Sequence, residues 1–270
     1  MSERTLAPSR GGLLERGAVV ITGAGSGIGE ATAQACAAEG AGVLVGDIDA
    51  AAAEKAAEAI TRSGGRAQAL AGDVADPASH EAFAEACGEA FGALTGWVNN
   101  AAWSGGGLLA EVDSEDWERI QAVTLGGVFH GCRSAIARMR AGGGGAIVNV
   151  SSGAGLAAEP GLSAYGAAKA GVQSLTRSAA VEYASAGIRV NCVAPGPIDT
   201  PGLAAWLEAF PGGRPAFEAQ IPQGRLGQPE EMAQAIVFLL SPRASYINGA
   251  VLVADGGMRA RLASPRPGES

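Results

Sequence analysis

Lysine is nearly absent from this chain of 270 residues: only Lys55 and Lys169, of 19 basic residues, are lysine. Acidic residues number 27, and the formal net charge is −8. Proteins that hold nucleic acid by surface charge carry the opposite sign, so the sequence predicts no nucleic-acid partner. In an arginine-rich chain, a lysine kept at one position suggests a local need for a compact ammonium group.

Long apolar runs and paired cysteines are absent as well. No apolar run approaches the ~20 residues that a membrane-spanning helix needs, so we expect no membrane partner. The four cysteines are far apart and form no Cys-x-x-Cys pair, and neither His80 nor His130 has a ligand partner at a useful spacing. We therefore expect no metal site, reduced thiols and a cytoplasmic location.

The two ends of the chain differ in composition from the rest. Residues 1–17 carry charges but no apolar segment of a secretory signal, and we expect a flexible N-terminal tail there. Residues 259–270 are rich in Pro, Arg and Ser, and we expect a C-terminal tail. Residues 18–258 are expected to form one domain, because no linker or second composition divides them.

Short apolar runs alternate with helical patterns along residues 18–258. Near-continuous apolar strands in a βαβ alternation predict a single-domain α/β fold, a Rossmann-type doubly wound parallel sheet of about seven strands flanked by helices. The predicted strands are 18–22, 42–46, 66–70, 95–102, 146–150, 188–193 and 250–254. The predicted helices cover about 30–39, 77–91, 114–139, 165–186 and 229–240, with a loop-rich segment at 201–228.

A glycine-rich loop, Gly23 to Gly29, joins the first predicted strand to the first helix. Such a loop lets backbone N–H groups approach a pyrophosphate at a helix N-terminus, although a simple connecting turn is the alternative. Asp47 ends the second strand, about where an acid holds the adenosine ribose hydroxyls. Its carboxylate would repel a 2′-phosphate, so NAD is favoured over NADP. Alternatively, Asp47 caps the next helix, a role that Asp49 could take instead.

Tyr165 and Lys169 are four residues apart at the start of a predicted helix and therefore share one of its faces. An ammonium beside a phenol favours the phenolate and lowers the pKa of the tyrosine. A hydroxyl from Ser151 or Ser152 could hold a carbonyl oxygen nearby. This combination predicts proton transfer to and from an alcohol oxygen.

Candidate polar residues recur where the predicted strands end. In a doubly wound sheet the ligand binds beyond the carboxyl ends of the strands, so these residues are expected to meet at one edge. They are Gly23 to Gly29, Asp47, Asp73, Asn100, Ser152 and Pro195 to Thr200.

Together and in this order, the motifs resemble those of the short-chain dehydrogenase/reductase family over residues 17–258. The segment from Thr22 to Gly29 looks like the Thr-Gly-x-x-x-Gly-x-Gly cofactor loop of that family. Tyr165-x-x-x-Lys169 matches its catalytic motif, and Ser152, thirteen residues before the tyrosine, matches its catalytic serine.

The resemblance implies an NAD-dependent oxidoreductase that moves a hydride between nicotinamide and a secondary alcohol or ketone. Tyr165 would be the general acid/base, Lys169 would lower its pKa and bind the nicotinamide ribose, and Ser152 would donate to the reacting oxygen. A homotetramer or homodimer, with the two long helices as an interface, is also implied. The implied cofactor contacts are Gly23, Ser26, Gly27, Ile28, Gly29, Asp47, Ile48, Asp73, Val74, Asn100, Ala101, Tyr165, Lys169, Pro195, Gly196, Ile198 and Thr200.

Thr124 departs from the family pattern, because it stands where the family usually carries asparagine. In the family that asparagine helps to place a water linking the lysine to solvent, so the proton relay is the part of the mechanism that differs. A threonine hydroxyl can also hold a water. The departure motivates an alternative function, an NAD-binding sensor or scaffold with weak or lost turnover.

Apolar side chains in the 201–228 segment suggest how the substrate is enclosed. They could form an apolar lid over the site; a helical hairpin that buries ordinary core residues is the alternative. Trp103, just after the Asn-Asn-Ala-Ala turn, could line the same pocket. We expect a small, partly apolar alcohol or ketone as substrate. The candidate substrate residues are Trp103, Leu203, Trp206 and Leu207.

Overall fold

Seven strands form the centre of the structure, a computed structural model that describes residues 12–208 and 210–260. Every strand pair is parallel. The strands are β1 (Ala18–Thr22), β2 (Gly42–Asp47), β3 (Arg66–Ala71), β4 (Leu94–Asn99), β5 (Gly145–Val150), β6 (Ile188–Pro195) and β7 (Val251–Ala254). Their order in the sheet is β3-β2-β1-β4-β5-β6-β7, so the order reverses between β1 and β4. This arrangement confirms the predicted doubly wound sheet.

Helices cover both faces of the sheet. The α-helices are α1 (Gly27–Ala38), α2 (Ala50–Arg62), α3 (Pro77–Phe91), α4 (Ser114–Ile120), α5 (Gly127–Gly142), α6 (Ser163–Tyr183), α7 (Pro201–Glu208), α8 (Gly213–Glu218) and α9 (Pro229–Leu240). Strand residues alternate between two apolar clusters: Val43 and Val45 pack on the side of α1, α2 and α9, and Leu44 packs on the side of α3, α5 and α6. Burial on both faces explains why the strands are almost continuously apolar.

Three helical regions differ from the sequence prediction. Helix α2, for which we predicted no bounds, is rich in alanine and is capped by Asp49, whose side chain accepts hydrogen bonds from the N–H groups of Ala51 and Ala52. The long helix predicted over 114–139 is interrupted by a π-helical segment, Gln121–Gly126, between α4 and α5. The segment predicted to be loop-rich contains α7 and α8.

Part of the expected N-terminal tail is packed against the domain. The backbone N–H of Leu13 donates to Glu39 Oε2 at 2.7 Å, and that of Leu14 donates to the Glu39 carbonyl at 3.0 Å. Both leucine side chains lie against the core. The remainder of the two expected tails, residues 1–11 and 261–270, lies outside the described residues. Within residues 12–208 and 210–260, no helix combines the length and apolarity needed to cross a membrane.

Candidate active site

The glycine loop lies at the switch point, where β1 passes into α1. Gly23 and Gly27 have φ angles of 63° and 54°, which favour glycine. A Cβ on Gly23 would lie 2.8 Å from the Cα of Ala101, and one on Gly29 would collide with the Gly23 carbonyl. The loop is thus folded tightly against the end of β4, and its glycines at positions 23, 27 and 29 meet a conformational or steric requirement.

Asn100 cross-links this loop to the neighbouring strand. Its Nδ2 donates to the carbonyls of Thr22 and Gly23, at 3.1 and 2.9 Å, and its backbone N–H donates to Thr22 Oγ1 at 3.1 Å. The backbone N–H of Ala101 also donates to Thr22 Oγ1, at 3.3 Å. Two predicted cofactor contacts therefore also support the loop that would hold the pyrophosphate.

Asp47 reaches the rim of the glycine loop from the end of β2. Its Oδ2 accepts a hydrogen bond from the backbone N–H of Gly25 at 2.8 Å, and its Oδ1 accepts one from the N–H of Asp49 at 3.0 Å. Asp49, and not Asp47, caps α2. The alternative role for Asp47 is therefore excluded, and a half-buried carboxylate faces the loop. The adjacent Ile48 side chain is exposed.

The ends of β3 and β6 carry the remaining predicted cofactor contacts. Asp73 Oδ1 accepts from the N–H of Ala75 at 2.9 Å, and Val74 is buried against α5. A Cβ added to Gly27 would lie 3.2 Å from Cγ2 of Thr200, so the segment after β6 reaches the glycine loop. The structure thus brings the predicted segments Gly23–Gly29 and Pro195–Thr200 together. Ser26 lies at the N-cap of α1, Ile28 packs partly against the core, Ile198 is buried, and Gly196 packs against Asp255.

Tyr165 and Lys169 lie in the first two turns of α6, facing the end of β5. The Lys169 side chain is 1% exposed, its Nζ donates to the Val150 carbonyl at 2.7 Å, and Nζ lies 5.5 Å from the centroid of the Tyr165 ring. Burial lowers the pKa of Lys169 to about 8. The spacing of four residues therefore places the ammonium beside the phenol, as predicted.

The pKa of Tyr165 differs from our expectation. Burial raises it to about 12, and hydrogen bonding to Ser152 opposes this rise. The predicted lowering by Lys169 is wrong for this structure, because desolvation of the phenolate outweighs the charge of an ammonium that already donates to a backbone carbonyl. The residue types predict proton transfer. Whether desolvation or the Lys169 charge dominates the Tyr165 pKa depends on how deeply the fold buries the phenol.

Ser151 and Ser152 have separate partners. Ser152 follows β5 in an extended conformation, and its Oγ accepts from the Ala154 N–H at 3.1 Å. Ser151 is buried; its Oγ donates to the Lys169 carbonyl at 2.8 Å and accepts from Gln173 Nε2 at 3.0 Å. Ser152 also hydrogen-bonds to the Tyr165 hydroxyl, whereas Ser151 bonds to helix α6. Gln173 was not predicted, although its position four residues after Lys169 places it on the same helix face.

Thr124 is fully buried in the π-helical segment and is bonded to the loop after β4. Its Oγ1 donates to the Trp103 carbonyl at 2.8 Å and accepts from the Trp103 N–H at 2.9 Å. The Trp103 side chain is 40% exposed, and the guanidinium of Arg119 lies 4.0 Å from its ring centroid. The Thr124 hydroxyl therefore supports the Trp103 loop.

Helices α7 and α8 form a small layer beside the segment that follows β6. Leu207 is buried with Ile221 and Leu226, whereas Trp206 is 51% exposed. The Trp206 ring contacts those of Phe210 and Phe217, at centroid distances of 5.2 and 5.4 Å. Leu203 packs partly on this cluster. The helical hairpin alternative thus describes the local structure, and of the predicted substrate residues here Trp206 offers the largest free surface.

An ion pair joins this layer to the segment after β6. The guanidinium of Arg214 in α8 donates to Asp199 Oδ2 at 2.6 Å and Oδ1 at 3.2 Å, and its Nε donates to Glu218 at 2.9 Å. The sequence alone did not indicate this pair, because its members are fifteen residues apart. Among the described residues, no three His, Cys, Asp or Glu side chains are grouped as a metal site requires.

Comparison with known proteins gives concordant matches. The family model described as enoyl-(acyl carrier protein) reductase matches residues 23–259. The chain is 44% identical over 243 residues to cyclohexanol dehydrogenase of Acinetobacter sp. (strain SE19), covering 88% of this chain and 92% of that one. It is 47% identical over 242 residues to cis-4-hydroxycyclohexanecarboxylate dehydrogenase of Sinomonas cyclohexanicum, covering 89% and 96%. The crystal structure of levodione reductase superimposes with a TM-score of 0.88 at 35% identity, covering 92% of this chain and all of that one.

Proposed function

Since this chain belongs to the short-chain dehydrogenase/reductase family of oxidoreductases that act on CH–OH groups, we propose that it oxidises a secondary alcohol, or reduces the corresponding ketone, with NAD. The observation that carries this proposal is the meeting of the Ser152 and Tyr165 hydroxyls with the Lys169 ammonium at the sheet edge that also carries the glycine loop. Each group has a task in moving a proton at an alcohol oxygen.

In oxidation, Tyr165 takes the proton of the alcohol, and in reduction it returns a proton to the ketone oxygen. Ser152 donates a hydrogen bond to the same oxygen as negative charge develops on it. Lys169 provides a positive charge near the phenol and a donor for the nicotinamide ribose. When bound, the nicotinamide accepts or supplies the hydride.

The residues at the sheet edge fit a dinucleotide. Glycine at positions 23 and 29 lets the loop fold tightly at the N-terminus of α1, where backbone N–H groups can approach a pyrophosphate. The Asp47 carboxylate, bonded to Gly25, can accept from ribose hydroxyls. NAD is preferred to NADP because that carboxylate would repel a 2′-phosphate. The other proposed contacts are Ser26, Gly27, Ile28, Ile48, Asp73, Val74, Asn100, Ala101, Tyr165, Lys169, Pro195, Gly196, Ile198 and Thr200.

The substrate class follows from the relatives and from the residues around the site. Two relatives are named for cyclic secondary alcohols, cyclohexanol and cis-4-hydroxycyclohexanecarboxylate. Trp103, after β4, and Trp206, in α7, supply half-exposed aromatic surface. We therefore propose a six-membered cyclic secondary alcohol, with Leu203 as a further contact and with Leu207 supporting α7 from its buried position.

Thr124 motivated the alternative of a sensor or scaffold without turnover. Because its hydroxyl bonds to both backbone groups of Trp103, its presence is explained by support of the loop and does not favour lost activity. A panel of cyclic secondary alcohols with NAD, followed by NADH absorbance, tests the two functions. Turnover that disappears in Tyr165→Phe supports the dehydrogenase, and tight NAD binding without turnover on any alcohol supports the alternative.

We also propose that the protein is a homotetramer or homodimer in the cytoplasm. Phe129 in α5 and Val181 in α6 are exposed apolar residues on the two long helices, and Leu252 and Val253 are partly exposed on the edge strand β7. Such surfaces favour self-association. Sizing in solution by light scattering tests the oligomeric state.

The proposed cytoplasmic location rests on the cysteines. All four are free, which suits a reducing compartment.

A further inference from the structure

The catalytic groups proposed above come from two different elements. Ser152 follows strand β5, whereas Tyr165 and Lys169 belong to helix α6. Since hydrogen bonding between Ser152 and Tyr165 depends on how the strand end sits against the helix, something must fix that contact. Besides the bond from Lys169 Nζ to the Val150 carbonyl, side-chain hydrogen bonds connect β5 and the residues just after it to α6 at two levels.

The level next to the site is made by Ser151 and Gln173. Ser151 Oγ donates to the carbonyl of Lys169 at 2.8 Å. Gln173 Nε2 donates to Ser151 Oγ at 3.0 Å and to the Ser152 carbonyl at 3.5 Å. The Gln173 amide thus bonds to both serines at once, and Ser151 passes the connection on to the backbone of Lys169.

Close packing and burial reinforce this level. Ser151 and Gln173 are 3% and 4% exposed, so water does not compete freely for their hydrogen bonds. A Cβ added to Gly155 would lie 2.7 Å from the Lys169 carbonyl carbon and 2.8 Å from Gln173 Nε2. The short turn that carries Ser152 is therefore packed directly on the same surface of α6.

The second level lies farther from the site and provides a natural comparison. Asn149 Nδ2, in β5, donates to Thr176 Oγ1, in α6, at 2.9 Å. Both side chains are fully buried. This bond joins the same strand to the same helix with similar burial, but it touches neither Ser152 nor Lys169.

We propose that Gln173 and Ser151 are positioning residues, which set the placement of the Ser152 hydroxyl relative to Tyr165 and Lys169. This inference rests on the proposed function for its effect on turnover. Neither side chain contacts a reacting atom; each acts through the strand end and the helix that carry the catalytic groups. The second level, Asn149 and Thr176, contributes stability without this role.

Removing the Gln173 amide should loosen the contact between the turn that carries Ser152 and helix α6. Ser151 Oγ loses a donor and the Ser152 carbonyl is no longer held, so the turn after β5 can move away from α6. A displacement of about 1 Å in a catalytic group can lower a rate about 100-fold. The same movement admits water to Lys169, whose burial lowers its pKa to about 8, so that pKa should rise toward the ordinary value for lysine.

The test compares Gln173→Leu with the matched control Thr176→Val in the full chain, after thermal unfolding has shown that both fold. We expect kcat with a cyclic alcohol and NAD to fall about 10- to 100-fold in Gln173→Leu, with KM for NAD nearly unchanged. Thr176→Val should lower the melting temperature but change kcat only slightly. Ser151→Ala should lower kcat in the same way as Gln173→Leu, and it serves as the test variant if Gln173→Leu does not fold.

A second measurement does not depend on turnover. With lysine labelled by ¹³C at Cε, the chain gives only two side-chain signals, from Lys55 and Lys169, and Lys55→Arg assigns them. We expect the titration of Lys169 to move upward in Gln173→Leu and to stay in place in Thr176→Val. If the native protein oxidises no alcohol, the proposed function fails, but these titrations still decide the positioning role. Equal effects of the two variants on the Lys169 titration, or full kcat in Gln173→Leu, would overturn it.

Discussion

Substitution of Thr124 by valine tests whether this residue supports the site or takes part in proton transfer. Valine has nearly the shape of threonine but no hydroxyl. The change therefore removes both hydrogen bonds to Trp103, at 2.8 and 2.9 Å, and leaves the Trp103 N–H and carbonyl without those partners. Thr124 itself is fully buried, so water cannot reach its side of the contact.

The size of the effect follows from these two bonds. A buried hydrogen bond contributes about 1 kcal/mol net, and leaving its partner unsatisfied costs about 1–3 kcal/mol. Two bonds to a partly exposed loop therefore give a loss of roughly 2–4 kcal/mol in the free energy of unfolding. For a protein of this size each kcal/mol shifts the melting temperature by about 2–4 °C, so we expect a fall of roughly 5–15 °C.

Calorimetry and steady-state kinetics on Thr124→Val separate the two roles. If Thr124 supports the loop, the melting temperature falls and KM for the alcohol rises, because Trp103 and the Arg119 guanidinium above it are less well fixed. Thr124→Ser keeps the hydroxyl, so its melting temperature should fall much less than that of Thr124→Val. Thr124→Asn offers both a donor and an acceptor to Trp103, and turnover should stay equal or rise. An unchanged melting temperature with a large loss of kcat would refute this reasoning and place the hydroxyl in the proton relay.

Further predictions concern the cofactor, the buried lysine and the layer formed by α7 and α8. Asp47→Asn keeps an acceptor for the Gly25 N–H but removes the charge, and should shrink the preference for NAD over NADP roughly 100-fold; equal use of both cofactors by the native protein would contradict the assignment. Because burial lowers the pKa of Lys169 to about 8, the folded state binds this proton less tightly than the unfolded state. This unfavourable contribution to the free energy of unfolding is present below pH 8 and is relieved between pH 8 and the ordinary lysine pKa. In denaturant titrations the stability of the native protein relative to Lys169→Met should therefore rise by roughly 2–3 kcal/mol between pH 7 and pH 10. A difference that stays constant over this range would contradict the assignment. Arg214→Gln breaks the pair with Asp199 and should raise KM for the alcohol several-fold, whereas Arg225→Gln, which breaks the Arg225–Glu231 pair, should not.

Much of the fold and the framework of the site could be predicted from local signals. The apolar strands, the glycine loop and the Tyr-x-x-x-Lys spacing each depend on residues close together in the chain, and strand ends in a parallel sheet must meet at one edge. The family is confirmed, and the sheet is the one expected.

What the sequence could not supply depends on contacts between distant residues or on burial. The bonds from Thr124 to Trp103 span 21 positions, and the pair between Arg214 and Asp199 spans 15. The predicted direction of the Tyr165 pKa shift was wrong, because the degree of desolvation depends on the tertiary structure. Helix α2 was given no bounds in the sequence analysis, although its buried side chains, Ala53, Ala56, Ala57 and Ile60, recur at helical spacing.

The most direct test of the central claim is to follow deuterium from the carbinol carbon of a cyclic secondary alcohol. With NAD and the native protein, we predict that the label appears in the reduced nicotinamide as the ketone forms, and that Tyr165→Phe slows this transfer about 1000-fold while still binding NAD. Tight binding of NAD with no transfer of label from any alcohol in a cyclic series would contradict the assignment of hydride-transfer activity to this site.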